Sequence, residues 1–220
     1  METELKYRLP DHPTLDRLAM ISELGGLAVG PSRTIVDHDR YLDTADVILL
    51  RAGYSCRERQ RSDGRRVLTI KSLQRGTGAM HRRTEMEFEM PSSASSADPA
   101  SWPVSPARDL VVSHAGSKRL ESLVTIGQTR RLRSVWSGAQ GDAQVELCLD
   151  VLDLGQPGAV LLGLEAELLP GGDLALLTTL AATFENEWRL VPEPRAKFWQ
   201  AVAVLRPDLL PPDELEEDVS

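Results

Sequence analysis

Cysteine is nearly absent from this 220-residue chain. Cys56 and Cys148 are the only two, with no CxxC spacing, which excludes a disulfide scaffold and a cysteine zinc site. Each falls inside a strand pattern and reads as a small buried thiol. The four histidines are scattered without ligand spacing, so a zinc site is not expected from them either. No apolar run approaches the ~18 residues of a membrane-crossing helix. Repeats of 20–50 residues are missing. The N-terminus lacks the basic-then-apolar order of a signal peptide, and the chain reads as cytoplasmic. Positive charge is in deficit: the net charge is −8 and the pI about 5.1, which argues against nucleic acid and anionic membranes as partners. The expected state is monomer or homodimer. Residues 206–220 hold one Arg and six Asp or Glu, a net of −5, leaving −3 for residues 1–205. The body is nearly neutral and must contain local charges of both signs.

What is present is alternation. "ETELKYRL" at the start has a period of two, which makes it a strand with Glu2, Glu4 and Lys6 on one face. "RTIVDHDRYL", "GYSCRERQR", "RRVLTIKSL", "HRRTEMEFEM", "TIGQTRRLRSVW", "AQVELCLDVLDL" and "AVLLGLEAELL" read as seven more. The Asp63-Gly64 pair predicts a hairpin turn, and Gly138 and Gly141 mark another turn. Helices are predicted over 13–24 (ended by Gly25-Gly26), about 106–124, and "GGDLALLTTLAATFENEW". A last helix, "PRAKFWQAVAVL", has Pro194 in its first turn. The Ser-, Pro- and Ala-rich stretch 92–105 reads as a loop. Residues 207–220 are expected to be a disordered acidic tail after one domain over 1–206. The predicted class is an antiparallel α+β domain of eight strands.

The polar faces carry segregated charge. Glu2 and Glu4, Glu85 and Glu87, and Glu165 and Glu167 are Glu-x-Glu pairs; Arg57 and Arg59, and Arg131 and Arg133, are Arg-x-Arg pairs. Members of each pair share a strand face and repel one another. A sheet closed with these faces inward would offset the repulsion by binding something. Carboxylates are hard ligands for Mg²⁺ or Mn²⁺, and Arg and Lys suit phosphate oxygens. A metal–polyphosphate complex satisfies both.

The ordered set of residues resembles the CYTH superfamily, the triphosphate tunnel metalloenzymes. Its opening signature is matched by Glu2-Thr-Glu4-Leu-Lys6. "DRYLDT", "CRER", "LTIKS", "RRTEMEFE", "TRRLRSVW", "LCLDVLD", "GLEAEL" and "RAKFW" follow in the family's order. The resemblance implies an eight-stranded antiparallel β-barrel, a tunnel with flanking helices, that binds a triphosphate-containing small molecule with Mg²⁺ or Mn²⁺. It implies Glu2, Glu4, Asp150, Glu165 and Glu167 as metal ligands, and Lys6, Arg57, Arg59, Lys71, Arg131, Arg133 and Lys197 as phosphate-binding cations. The general base is either Lys71 paired with Tyr41, which needs a depressed lysine pKa, or Glu85 or Glu87. Arg130 is expected on the outside. The implied activity is hydrolysis of inorganic triphosphate; adenylate cyclase, thiamine triphosphatase and a non-catalytic binder are the alternatives.

Overall fold

The structure is a computed structural model that describes residues 2–73, 78–137 and 142–211. It opens with β1 (Glu2–Arg8) and α1 (His12–Met20), which Asp11 caps by accepting from the Thr14 N–H at 2.8 Å. α1 stops at Met20, short of the helix expected to residue 24. A small hairpin follows, β2 (Glu23–Leu24) and β3 (Leu27–Val29). Gly25 and Gly26 form its two-residue loop with φ of 57° and 78°, the backbone that a tight hairpin needs.

The tunnel wall continues through β4 (Arg33–Asp43), the short α2 (Ile48–Arg51), β5 (Tyr54–Arg61) and β6 (Arg66–Ser72). The Asp63-Gly64 turn joins β5 to β6 as expected, with the Arg65 N–H bonded to Asp63. β7 (Met80–Arg83) and β8 (Glu85–Glu89) are one chain segment broken at Thr84; β7 pairs with β1, while β8 pairs with β6. α3 (Pro106–Ala115) precedes β9 (Glu121–Trp136), β10 (Val145–Asp153) and β11 (Val160–Leu168). α4 (Leu174–Asn186), β12 (Val191–Pro192) and α5 (Lys197–Leu205) complete the described chain. The sheet runs β12-β1-β11-β10-β9-β4-β5-β6-β8, antiparallel throughout, and the β7–β1 pairing draws its far edge back to β1. Twelve strands are present among the described residues. Eight wall positions remain when β7 and β8 are taken together and the short β2, β3 and β12 are set aside.

The sheet is apolar outside and polar inside. Leu5, Tyr7, Leu147, Leu149, Leu164 and Ala166 face outward and pack under Leu15 and Leu18 of α1 and Leu177, Leu180 and Phe184 of α4. Cys56, Leu68 and Ile70 pack outward on α3 and on Trp102. The inner face is apolar at one end only, where Tyr41, Val124, Ile126 and Leu152 meet Phe198, Trp199 and Val202 of α5. Helices thus supply the hydrophobic burial that the concave face forgoes.

Four boundaries besides the end of α1 differ from expectation. The helix expected over about 106–124 stops at Ala115, where Gly116 turns the chain with φ of 61°, and β9 already begins at Glu121. α5 begins at Lys197, so Pro194 precedes the helix instead of lying in its first turn. The 92–105 stretch is tied in, with Trp102 buried and its indole N–H donating to the Ser95 carbonyl. Pro207–Leu209 form a 3-10 turn, and Leu209 and Leu210 pack against the apolar group around Tyr41, Phe198 and Val202, so the fold runs past residue 206. The rest of the expected tail, 212–220, and the turn at Gly138 and Gly141 lie outside the described residues.

Candidate active site

The concave face encloses a cavity of about 600 Å³, within the range of small-molecule sites. Alternation along β1, β11 and β10 puts Glu4, Glu167 and Glu146 side by side: Glu4 is in register with Glu167, and Glu167 with Glu146. Burial pushes the Glu4 carboxyl up, Lys6 at 3.1 Å opposes this, and Glu165 and Glu2 add to it; the net shift is upward. Glu167 is pushed up to about 7 by burial and by the charges of Glu2 and Glu4. These carboxylates crowd one another without enough positive charge. Across the seam, Lys71 bridges Glu2 at 2.9 Å and Glu85 at 3.1 Å.

Deeper in, the acids are matched. Asp150 is fully buried and Glu165 nearly so. Arg130 Nε donates to Asp150 Oδ1 at 2.9 Å, and its Nη2 to Glu165 Oε2 at 3.0 Å. Lys197, the first residue of α5, donates to both Asp150 and Glu165, the latter at 2.7 Å. Lys6 also binds Glu165. Burial would raise both carboxyls, but Lys197, Lys6 and Arg130 hold Glu165 well below the usual range, and Arg130 and Lys197 hold Asp150 down.

β5 supplies the opposite wall. Arg59 makes a two-pronged contact with Asp39, 2.7 Å on each side, and donates to Gln128 at 2.8 Å. Burial opposes ionisation of Asp39, yet Arg57 and Arg59 bring its pKa to about 2. Arg57 donates to the Thr69 hydroxyl at 3.2 Å, while its buried Nε has no partner. Thr69 in turn donates to Glu87 at 3.0 Å.

A family model for the CYTH domain matches residues 1–172. The chain belongs to the CYTH domain family. Among solved structures, a candidate adenylyl cyclase from Hippeastrum, described as having a dominant triphosphatase activity, is 20% identical with a TM-score of 0.68; the match covers 96% of this chain and 98% of that one. A candidate adenylate cyclase from Bacillus halodurans is 18% identical with a TM-score of 0.62, covering 91% and 96%. A Pyrococcus horikoshii protein is 14% identical with a TM-score of 0.55, covering 90% and 96%. These likenesses establish the curled antiparallel tunnel fold. No curated protein matches by sequence.

Within this CYTH tunnel, Glu2, Glu4, Lys6, Tyr41, Arg57, Arg59, Lys71, Glu85, Glu87, Glu165, Glu167 and Lys197 all line the cavity. Asp150 joins them through its ion pairs. Arg131 and Arg133 do not. They lie on the outer face of β9: Arg131 pairs with Asp16 of α1 at 2.7 Å. Arg133 donates to the carbonyls of Leu18, Ile21 and Gly30, which takes up acceptors that the end of α1 leaves open. Arg130, expected outside, and Leu132 face the cavity instead. The register explains this: Asp150 points inward, and the residue opposite it on β9 is Arg130.

The other correction concerns Lys71. Burial and Arg57 push its ammonium down, but Glu2, Glu85 and Glu4 outweigh them and hold it above its ordinary value. Lys71 is therefore held as a cation, which weighs against the Lys71–Tyr41 alternative for the general base. Tyr41 packs its ring on Phe198 at 5.1 Å between centroids, and the partners of the Lys71 amine are carboxylates. Cys148, Asp150 and Glu165 bring ligand-type atoms within 4.8 Å of one another, but Arg130, Lys197 and Lys6 already occupy those acids.

Asp37, Asp39 and Gln128 were missed. Asp37 and Asp39 stand four and two residues before Tyr41, which the family resemblance put in the tunnel, so alternation along the strand places them on the same face. Gln128 is two residues before Arg130 and becomes visible only once that register is known.

Proposed function

We propose that this chain is a divalent-metal-dependent triphosphatase whose substrate is inorganic triphosphate, which it cleaves to diphosphate and phosphate. The observation that carries this reading is the division of one cavity into an under-compensated acid wall and a guanidinium wall. Glu4 and Glu167 are each pushed above the ordinary glutamate value by burial and by neighbouring carboxylates, Glu2 among them, so the donor set fits a hard cation. Glu2, Glu4 and Glu167 would hold Mg²⁺ or Mn²⁺; Asp150 and Glu165, saturated by their own cations, would instead position Arg130, Lys197 and Lys6. A bound cation would supply charge neutralisation and orientation of phosphate oxygens.

Arg57, with an unpartnered Nε, and Lys71, Arg130, Lys197 and Lys6 would bind the phosphate oxygens and stabilise the charge that shifts during phosphoryl transfer. Arg59 contributes its charge, while Asp39 holds its prongs in place. Glu87, steadied by the Thr69 hydroxyl, would orient the attacking water and accept its proton. The Hippeastrum protein's dominant triphosphatase activity supports this reading by likeness of fold.

Hydrolysis of ATP or thiamine triphosphate, or cyclisation of ATP, is the second reading. The observation that favours it is the apolar end of the cavity, where Tyr41, Leu73 and Phe198 could meet an organic headgroup. Phosphate release from inorganic triphosphate, thiamine triphosphate and ATP, each with Mg²⁺, Mn²⁺ or EDTA, separates these readings, with ATP products checked for cyclic AMP. Metal-dependent release from inorganic triphosphate supports the proposal. Tight binding without any turnover makes the tunnel a binding module.

A further inference from the structure

The mouth of the tunnel carries cations that this chemistry leaves unused. Arg57, Arg59 and Arg61 share the inner face of β5, each about 7 Å further along the strand. Arg61 ends β5, opposite Asp37, and Arg33 begins β4; both line the cavity. The Nε of Arg61 is shielded from water and has no hydrogen-bond partner. Among the described residues, no side-chain hydrogen bond or ion pair engages Arg33 or Arg61. Their neighbours are different: Arg65 folds back on Asp63 at 2.7 Å, and Arg59 on Asp39. Asp37, the acid nearest Arg61 in register, leans toward Arg59 at 3.5 Å, and its Oδ2 accepts no hydrogen bond.

A shielded guanidinium N–H without an acceptor is costly; Arg61 presents one at an opening that the exposed cation Arg33 also lines, and the pair suits an anion. The anion is not the triphosphate bound beside Arg57, because Arg61 lies four residues, or about 13 Å, further along the strand. We infer that Arg33 and Arg61 form an outer phosphate subsite, and that the tunnel, besides triphosphate, binds linear polyphosphates of four or more phosphates and holds them more tightly. This rests on the tunnel being a polyphosphate site, the reading given above.

The test compares inorganic triphosphate with inorganic tetraphosphate at fixed ionic strength. Binding is measured calorimetrically in EDTA and turnover separately with Mg²⁺, using wild type and the Arg33→Ala/Arg61→Ala double variant. Wild type should bind tetraphosphate about tenfold more tightly, the scale of a charge-assisted contact. The double variant should lose that advantage and keep its triphosphate affinity within about twofold. Equal loss for both chains would overturn the subsite and make the mouth a general attractive field; equal wild-type affinities would also overturn it. If length-dependent binding holds without turnover, the subsite stands and the triphosphatase reading fails. If turnover holds without length dependence, only the subsite fails.

Discussion

Arg130 and Asp150 stand directly opposite one another on β9 and β10, and the guanidinium Nε meets the carboxylate at 2.9 Å. Asp150 is fully buried, so this pair is tied to the tunnel floor and leaves the remaining guanidinium edge toward the cavity. Replacing Arg130 by Ala should lower kcat/KM for triphosphate by about 100-fold or more, the scale of losing one charge-stabilising donor. Arg131→Ala should change it less than about threefold, because its pair with Asp16 is a surface ion pair. Steady-state kinetics of the two variants side by side checks the register. Equal losses would put Arg131 back in the tunnel.

Arg133→Ala should act on stability. The side chain is 5% exposed and donates to three carbonyls near the end of α1. Leaving those acceptors unmet should cost about 2–4 kcal/mol, read as a lowered melting temperature, with KM little changed in the folded fraction.

Glu4→Gln should abolish Mg²⁺-dependent turnover without unfolding the chain. Glu4 is crowded by Glu165 and Glu2, so removing its charge relieves repulsion. Melting without metal should be unchanged or higher, and phosphate release should fall by about 100-fold or more. Retained turnover would remove Glu4 from the metal site.

Arg57 and Arg59 should behave differently although both point inward. Arg57→Ala removes a guanidinium with an unpartnered Nε, and KM for triphosphate should rise about tenfold or more. Arg59→Ala should weaken substrate binding too, but it also strands buried Asp39, with a stability loss of about 3–5 kcal/mol. Thermal melts alongside KM values separate the two effects.

Asp39 makes the acid limb of stability predictable. Its pKa in the fold, about 2, lies below the ordinary value of 3.8. A depressed carboxyl stabilises above its unfolded pKa, and that contribution is lost as pH falls through the folded value. Between about pH 4 and pH 2 the wild type should therefore lose about 2 kcal/mol attributable to Asp39. Asp39→Asn should be less stable at pH 7, and the gap between the two proteins should narrow across that window in denaturant titrations. A gap that stays constant with pH would mean that Asp39 is not held ionised by Arg57 and Arg59.

Much of this tunnel is legible along single strands. Period-two spacing places Glu2 with Glu4 and Lys6, and Arg57 with Arg59, whatever the fold around them. The Asp63-Gly64 turn is local chemistry and formed as expected. Asp37 and Asp39 were legible in the same way through Tyr41, but acids inside a strand of mixed character read as interruptions. The end of α1 was harder to place, because Leu24 continues the helical spacing and only the Gly25-Gly26 backbone turns the chain into a hairpin.

The sequence by itself determines which side chains share a face, and therefore that charges of each sign lie in rows on an antiparallel sheet. It does not determine which face is turned in. On β9 both faces are polar: Arg130 and Gln128 lie on one, Arg131 and Arg133 on the other. Hydrophobic contrast is too weak there to choose between them. Tertiary structure decided it through two long-range partners, buried Asp150 on β10 and the open carbonyls at the end of α1. Each needs a cation from its own side of β9. The protonation state of Lys71 was decided the same way, because Glu2 and Glu85 reach it only when the curled sheet brings β1, β6 and β8 together. Electrostatic free energy depends on distances between side chains, and those exist only once the strands are paired.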